Sequence, residues 1–285
     1  YWNDRWSFPI ESLSHKAASS EELAEARRVS GASAHVHEEE SPDQRLESWL
    51  SLVAQADKGE AILFVDDPPE DNPRDRDEFP VQVANELIQL FENARSEIVI
   101  VSAYLIPTPN LEGAVKRALS RGVRVRILTN SIASNNHLSA HSAYRNHINE
   151  LLESGAELHE VRTDAKDRDQ YMLTPVGQKQ LALHAKALVI DDDKVFIGSA
   201  NLDPRSLRIN TEMGFLIVGK AFNETVRAAV DADFSPANAW RLELQDSGEV
   251  HWVSDDATLT SQPATSFMQR IEDWFFSHMP IENEL

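Results

Sequence analysis

The chain has 285 residues, no cysteine, and 47 acidic against 27 basic side chains, a formal net charge of −20 at pH 7 with histidine neutral. The missing cysteine excludes disulfides, thiolate metal ligands and a cysteine nucleophile. The acidic balance argues against a protein that binds a polyphosphate backbone, because lysine and arginine supply most of that affinity. No stretch reaches the roughly 20 apolar residues of a membrane span. The length allows one large or two modest domains.

Residues 1–60 are predicted to form a peripheral helical arm. Helix-forming residues run without a breaker from Glu21 to Val29. A second segment, 45–56, carries apolar residues at helical spacing, namely Leu46, Trp49, Leu50 and Val53. The chain starts at Tyr1 rather than at methionine, and no signal-peptide pattern follows it, so we expect these residues to continue a longer product.

Residues 61–236 are predicted to form a catalytic lobe in which strands and helices alternate. Short apolar runs predict strands over 61–65, 97–102, 123–129, 157–161, 181–190, 194–197 and 212–218. Amphipathic spacing predicts helices over 81–93, 111–120, 139–152 and 222–232. This alternation predicts an α/β fold with a mixed β-sheet flanked by helices on both faces.

Residues 237–285 are predicted to add a hairpin, 240–244 with 250–253, and a terminal helix over 267–278. The helix carries an apolar stripe of four residues, Phe267, Ile271, Trp274 and Phe275. Two interpretations of the stripe stay open: packing on the core, or contact with a membrane surface.

The segment His184-Ala185-Lys186 carries the clearest chemical signal. Side chains alternate along a strand, so the imidazole of His184 and the ammonium of Lys186 are predicted to share one face. Such a pair can hold a phosphate: the histidine attacks phosphorus or protonates a leaving oxygen, and the lysine offsets the charge on phosphoryl oxygens. A lysine in so apolar a run is costly to bury without a partner anion.

Further residues surround this pair in the sequence. Gly198 and Ser199 allow a close backbone turn, and Asn201 supplies a neutral amide donor. Asp191 lies at the end of the predicted strand, an odd number of residues from Lys186, so its side chain is predicted to point to the opposite face. We therefore expect Asp191 to support the site rather than to touch substrate.

The pattern His184-x-Lys186-x4-Asp191 with Gly198-Ser199-x-Asn201 resembles the HKD signature of the phospholipase D superfamily. Other segments are similar to its cardiolipin synthase branch, in particular the C type, and together they cover nearly the whole chain. They are Tyr1-Trp2-Asn3, Asp66-Asp67-Pro68, Leu128-Thr129-Asn130-Ser131, His141-x-x-Tyr144, Asn201-Leu202-Asp203-Pro204-Arg205-Ser206, Asn210-Thr211-Glu212 and Pro280-Ile281-Glu282.

The resemblance implies a single lobe of the phospholipase D type and a site in which two HKD motifs face each other. One histidine becomes a phosphohistidine, the other is the general acid and base, and no metal or other cofactor takes part. His184 matches the C-terminal motif and is therefore assigned the acid–base role, with Lys186 and Asn201 on the phosphoryl oxygens. Glu212 matches the carboxylate that orients the motif histidine, as in other histidine–carboxylate pairs.

Substrate-binding roles are assigned to Ser199, His141 and Tyr144. For the last two, an alternative stays open. His141 and Tyr144 share a helix face with Ile148, Leu151 and Leu152, and the residues alone favour a packed face, so that substrate binding rests on the resemblance only.

The chain departs from the family pattern in one respect: no histidine other than His184 has a lysine two residues later. Either the first motif lies upstream in a longer protein, or two copies pair as a homodimer. The opening Tyr1-Trp2-Asn3 resembles the join that follows a first lobe, which favours a C-terminal half that has no activity alone.

Three functions follow from the resemblance. The first is a phosphatidyltransferase of the cardiolipin synthase type, with a phospholipid substrate, peripheral to the inner membrane of a bacterium. The second is a hydrolase of the same fold, either a phospholipase or a nuclease, but a nuclease should display a basic groove that a net charge of −20 disfavours. The third is a non-catalytic lipid-binding or structural half.

Overall fold

The structure is a computed structural model that describes residues 19–33, 41–55, 59–66, 82–167 and 181–279. The chain divides into two compact units, residues 1–58 and 59–285. The predicted further boundary at residue 236 stays a prediction. Three segments that carry part of the family resemblance lie outside the described residues: Tyr1-Trp2-Asn3, Asp67-Pro68 and Pro280-Ile281-Glu282.

The first unit contains two described helices, α1 (Ser20–Ser33) and α2 (Pro42–Gln55). Each begins with a capping box, in which a serine and a residue three positions later satisfy each other's backbone N–H groups. The serine is Ser19 before α1, paired with Glu22, and Ser41 before α2, paired with Gln44. These caps explain why the helices begin at Ser20 and Pro42, before the segments 21–29 and 45–56 that helix propensity and apolar spacing predicted.

The second unit is built on one ten-stranded sheet. Its strands are β1 (Glu60–Val65), β2 (Glu97–Ser102), β3 (Arg124–Asn130), β4 (Glu157–Val161), β5 (Lys186–Ile190), β6 (Lys194–Gly198), β7 (Met213–Val218), β8 (Ala239–Leu244), β9 (Val250–Val253) and β10 (Thr258–Leu259). Their order across the sheet is β1-β7-β6-β5-β2-β3-β4-β8-β9-β10. The β2–β3 and β3–β4 pairs are parallel and the other pairs are antiparallel, so the sheet is mixed as predicted.

Helices cover both faces of this sheet. The helices described in this unit are α3 (Gln82–Asn93), α4 (Pro109–Ser120), α5 (Leu138–Arg145), α6 (Ile148–Glu153), α7 (Pro204–Arg208), α8 (Lys220–Asp233) and α9 (Phe267–Ser277). On one face, Leu87 and Phe91 of α3 pack with Ile98 and Ile100 of β2 in the larger core. On the other face, Val230 of α8 and Phe234 at its end pack with strand residues that point away from the larger core, namely Val99, Val101, Val189 and Val195.

The strand directions bring six strand ends to one edge of the sheet, which we call the motif edge. It comprises the carboxyl ends of β1, β2, β3 and β6 and the amino ends of β5 and β7. Ser102 pairs with Lys186 there, and Gly198 pairs with Gly214. A Cβ atom on Gly214 would lie 2.1 Å from the ring of Phe196, so only glycine permits this close pairing.

Two predicted elements differ from the observed ones. The predicted strand over 181–190 begins only at Lys186, because the backbone of Leu183 bonds to the side chain of Asn130 instead of to a neighbouring strand. The predicted helix over 139–152 is two helices that break at Asn146 and His147, where residues of weak helix propensity lie together.

Two short elements were not predicted, α7 and β10. The signal for α7 was present, because Asp203 caps the helix and Pro204 occupies its first turn. Among the described helices, none combines the length and the apolar character needed to cross a membrane.

Candidate active site

His184 lies at the motif edge, in the irregular segment that leads into β5, and its side chain is exposed. Its position is fixed by its neighbour Leu183, whose N–H donates to Oδ1 of Asn130 and whose carbonyl accepts from Nδ2 of the same residue, both at 2.9 Å. Asn130 is itself buried and also donates to the carbonyl of Ala103 at 3.0 Å. A buried amide therefore anchors the backbone directly before the histidine.

Lys186 is the first residue of β5, and its ammonium lies beside the imidazole. Its Nζ is 3.2 Å from Nδ1 of His184 and donates to the carbonyl of that residue at 3.1 Å. Burial lowers the pKa of Lys186, and the negative charges of Glu212 and Asp203 oppose that shift. The predicted pair is thus brought together, although only one of its members belongs to the strand.

Glu212 is buried directly before β7 and is held by several groups. One carboxylate oxygen accepts a hydrogen bond from the hydroxyl of Ser199, and the other accepts from Nδ2 of Asn210 at 3.2 Å. Its backbone bonds to Asp66, whose N–H donates to the carbonyl of Glu212 at 2.8 Å. Within the described ranges, no hydrogen bond joins Glu212 to His184, so the predicted orientation of the histidine by this carboxylate stays a prediction.

Asn201 and Asp203 occupy the connection from β6 to α7, and both are buried. Asp203 caps α7 by accepting from the N–H of Ser206 at 2.6 Å. Burial raises the pKa of Asp203, whereas hydrogen bonds from Ser206 and from the amide of Asn201 act in the opposite direction. Sequence analysis did not assign a role to Asp203. Because its negative charge, like that of Glu212, acts on the pKa of Lys186, Asp203 belongs to the charged surroundings of this lysine.

Asp191 lies at the other end of β5, away from the motif edge, in a left-handed conformation with φ 50°. Its carboxylate accepts hydrogen bonds from the backbone N–H groups of Arg95, Ser96 and Glu97 at 2.8–3.2 Å. These bonds fix the start of β2, so Asp191 supports the strands that carry the pair and does not touch it.

An apolar cavity of about 360 Å³ opens beside His184. Its lining is mostly aliphatic: Leu128, Val161, Ala165, Leu181, Ala182, Leu183, His184, Ala185, Asp233 and Asn238. The imidazole thus lies between the exposed motif edge and an apolar recess.

The structure does not bring His141 and Tyr144 to the pair. Both side chains lie on α5 inside the protein, with exposed fractions of 0% and 2%. Nδ1 of His141 lies 2.7 Å from Oδ1 of Asp273, a residue of α9. Their burial supports the interpretation as a packed helix face, and their assignment to substrate binding stays a prediction.

Sequence reasoning did not identify Asn130 and Asp66 as positioning residues, although both belong to segments of the family resemblance. Each is a polar residue that directly ends or follows an apolar strand, and that position was the available signal. Both are buried and bond to the backbone of segments that carry motif residues, Asn130 at Leu183 and Asp66 at Glu212.

The sequence matches a family model described as cardiolipin synthase, PLD-like domain, over residues 87–234. The chain therefore belongs to this family of the phospholipase D superfamily. It is 35% identical over 204 residues to cardiolipin synthase C of Escherichia coli, a match that covers 69% of this chain and 42% of the relative. It is 27% identical over 154 residues to cardiolipin synthase B of Salmonella typhi, covering 54% of this chain and 33% of the relative.

Among solved structures, the chain is similar to Nuc of Salmonella typhimurium, a phospholipase D family member, with 19% identity and a TM-score of 0.45. That match covers 61% of this chain and 95% of the other. The chain spans less than half the length of the two cardiolipin synthases named above.

Proposed function

We propose that this chain is the C-terminal catalytic half of a phosphatidyltransferase of the cardiolipin synthase type. The observation that carries the proposal is the pair of the exposed His184 and the half-buried Lys186 at the motif edge, beside an apolar cavity. A phosphate group fits the paired imidazole and ammonium, and acyl chains or other apolar parts of a lipid fit the recess. The family match and the relatives named cardiolipin synthase support the same substrate class.

In the proposed reaction, the histidine of the first HKD motif, which the other half supplies, attacks the phosphorus of a phosphatidyl ester. The bond from phosphorus to the leaving oxygen breaks, and His184 gives its proton to that alcohol. His184 then takes the proton of an incoming lipid alcohol, whose oxygen attacks phosphorus and releases the first histidine. Lys186 stabilises the charge on the phosphoryl oxygens throughout, with Asn201 as a neutral donor.

An exposed apolar sheet face beside the motif edge supports the need for a second half. Leu63, Phe215 and Ile197 lie directly opposite one another on β1, β7 and β6, and Val65 and Met213 form the next pair. All five are at least one-third exposed. A contiguous apolar patch of this kind marks an interaction surface, and its position directly before Ser199 and after Glu212 suits a partner that completes the site.

The protein would act at the inner membrane of a bacterium as a peripheral enzyme. An alternative is a hydrolase that uses the same groups with water as the acceptor, and a homodimer of two such chains would supply two motifs. A non-catalytic lipid-binding half is the alternative of another class, and the retained set of His184, Lys186, Asn201 and Glu212 disfavours it.

The test is to incubate phosphatidylglycerol vesicles with the chain alone and with the chain expressed together with a first-motif half. We expect cardiolipin and glycerol only from the pair, and no product when His184→Ala replaces the wild-type chain. Phosphatidic acid in place of cardiolipin would establish the hydrolase. Turnover by the purified monomer would disprove the proposal that the site needs a second half.

A further inference from the structure

The terminal helix α9 has its polar side toward the protein and its apolar side toward solvent. Its inward residues include Gln269, Asp273 and Ser277, of which Asp273 is 0% exposed. Phe276 is half-buried, and the other large apolar residues are exposed: Phe267, Met268, Ile271, Trp274, Phe275 and the following Met279. The stripe seen in the sequence is therefore not packed on the core, and the core interpretation is wrong for these side chains.

A polar anchor holds the helix in this orientation. Asp273 lies 2.7 Å from Nδ1 of His141 and 2.9 Å from Oγ of Ser142, and it accepts from Arg145 at 3.1 Å. Burial works to raise the pKa of Asp273, but these partners outweigh it and leave that pKa below its usual value. Rotating α9 to bury its apolar face would move a charged, fully paired carboxylate out of the interior and break its contacts. The contacts of Asp273 therefore hold the apolar face of α9 toward solvent.

The amino-terminal part of α9 lies at the same edge of the sheet as the catalytic pair. Nε2 of Gln269 donates to the carbonyl of Ile132 at 2.8 Å. Ile132 follows Asn130, the residue that anchors the backbone before His184. The first turn of α9 is therefore tied to the loop that follows β3 at the motif edge.

The charge of the surrounding surface differs from that of the rest of the protein. The segments packed around α9, residues 131–149 and 257–271, contain no aspartate or glutamate, although the whole chain has 47 acidic residues in 285. On α9 itself the exposed Glu272 is offset by the exposed Arg270 close to it in the helix, and Arg145 pairs with the buried Asp273. An anionic bilayer therefore repels this face less than the acidic remainder of the protein, and charge favours this face for headgroup contact.

We propose that α9 docks this protein on the surface of a phospholipid bilayer by inserting its apolar face among the headgroups. The face combines one tryptophan, two phenylalanines, one isoleucine and two methionines, a composition that suits the boundary of headgroups and acyl chains. Because few basic residues accompany it, apolar insertion supplies the binding and screening by salt weakens it little. This inference rests on the proposed function only in that a lipid substrate requires contact with the bilayer.

The experiment is vesicle pelleting with the full 285-residue chain and vesicles of phosphatidylethanolamine and phosphatidylglycerol, at low and at high salt. The test variant is Ile271→Gln with Phe275→Gln, which are 42% and 57% exposed and keep Trp274 as a fluorescent reporter. The matched control is Leu63→Gln with Phe215→Gln, which are 50% and 42% exposed on the sheet face. All four side chains lie at the surface, so both variants should fold, as checked by their thermal melting.

We expect the wild type and the control to bind vesicles at both salt concentrations. The chain has six tryptophans, so Trp274→Phe serves as the reference for the fluorescence. The tryptophan emission of the wild type should shift to shorter wavelength and be quenched by lipids brominated in the acyl chains, and both effects should be absent in Trp274→Phe. The test variant should lose at least about tenfold in partitioning, since two apolar side chains no longer leave water. Equal binding by the test variant overturns the proposal. The proposal is also overturned if the wild-type chain self-associates and does not bind vesicles, and the test variant is a monomer.

Failure of this proposal and failure of the proposed function give different results. His184→Ala should bind vesicles like the wild type, because binding needs no chemistry. If the protein binds vesicles through α9 but the completed enzyme forms no cardiolipin, the proposed function is disproved and the docking role stands. If the completed enzyme forms cardiolipin in detergent micelles but the chain does not bind vesicles, the docking role is disproved and the proposed function stands.

Discussion

The ammonium of Lys186 lies 3.2 Å from Nδ1 of His184 and 3.1 Å from the carbonyl oxygen of the same residue. The two side chains therefore form one local unit, although His184 precedes the strand that Lys186 begins. In the proposed mechanism, a phosphoryl group replaces the histidine as the partner of the ammonium. The first prediction concerns that exchange.

Replacing Lys186 by methionine should reduce transfer by the completed two-motif enzyme roughly 10²- to 10³-fold in kcat, the range found when one stabilising donor is removed. Lys186→Arg should recover only part of this loss, because a planar guanidinium does not reproduce a compact ammonium. Thermal melting should stay unchanged, since the ammonium lies at an open edge. A methionine variant with wild-type kcat would remove Lys186 from the proposed chemistry.

The second prediction concerns the charge of Glu212. Burial lowers the pKa of Lys186, and the negative charge of Glu212 acts against that shift, so neutralising the carboxylate should lower this pKa further. In Glu212→Gln, the alkaline limb of the pH profile of kcat/KM should move to lower pH, because the lysine loses its proton earlier. The reaction rate of Lys186 with an amine-directed reagent should rise at a given pH below that limb.

Ser199→Ala is the matched control for this shift. It removes the hydroxyl that donates to Glu212 but leaves the carboxylate charge in place. The alkaline limb should therefore move much less than in Glu212→Gln. Similar shifts in both variants would indicate that geometry, and not charge, links Glu212 to the site.

The third prediction separates Asp191 from the chemistry. Asp191→Ala removes a carboxylate that accepts from three backbone N–H groups, and it places alanine at φ 50°. Hydrogen bonds to charged groups contribute about 1.5–3 kcal/mol each when isolated. The three bonds share one half-buried carboxylate and water can replace part of them, so we expect the free energy of unfolding to fall by less than their sum, about 2–4 kcal/mol, in urea titrations. Asp191→Asn should lose less, since asparagine tolerates this conformation. Activity per folded molecule should be retained, and its loss in a fully folded variant would contradict a supporting role.

Most strands and helices could be predicted from the sequence, because apolar periodicity and turn residues act locally. The failures have two kinds of cause. The segment 181–185 belongs to no strand because a side chain 53 residues away, Asn130, takes the hydrogen bonds of Leu183. The break between α5 and α6 falls at residues of weak helix propensity, Asn146 and His147, and Nδ2 of Asn146 donates to the distant carbonyl of Ser277.

Functional features also divide into local ones, which the sequence predicts, and long-range ones, which it does not. The closeness of His184 and Lys186 follows from their spacing of two residues. The direction in which the α9 stripe faces could not be predicted, because it depends on bonds from Asp273 to residues 128–132 positions earlier. A helical stripe in a sequence identifies an apolar face, but distant partners of the opposite face decide whether that face is buried.

The last prediction concerns Glu160, a fully buried carboxyl on β4 whose Oε2 accepts from Nε1 of Trp252 at 2.9 Å. Burial raises its pKa from 4.5 to about 7, against the opposing effects of His141, Trp252 and Tyr144. The folded state therefore binds one more proton than the unfolded state between these values. This contribution to stability is complete below pH 4.5 and is lost as the pH rises through about 7.

Glu160→Gln keeps an oxygen acceptor for Trp252 and does not titrate. The difference in unfolding free energy between the variant and the wild type should therefore grow in favour of the variant as the pH rises from 5 to 8, by up to about 3 kcal/mol. Urea titrations across this range measure it. The neighbouring His159 is present in both proteins, and since burial lowers its pKa to about 4, its own opposite pH dependence cancels in the difference. Parallel stability curves for the two proteins would show that Glu160 stays ionised in the folded state.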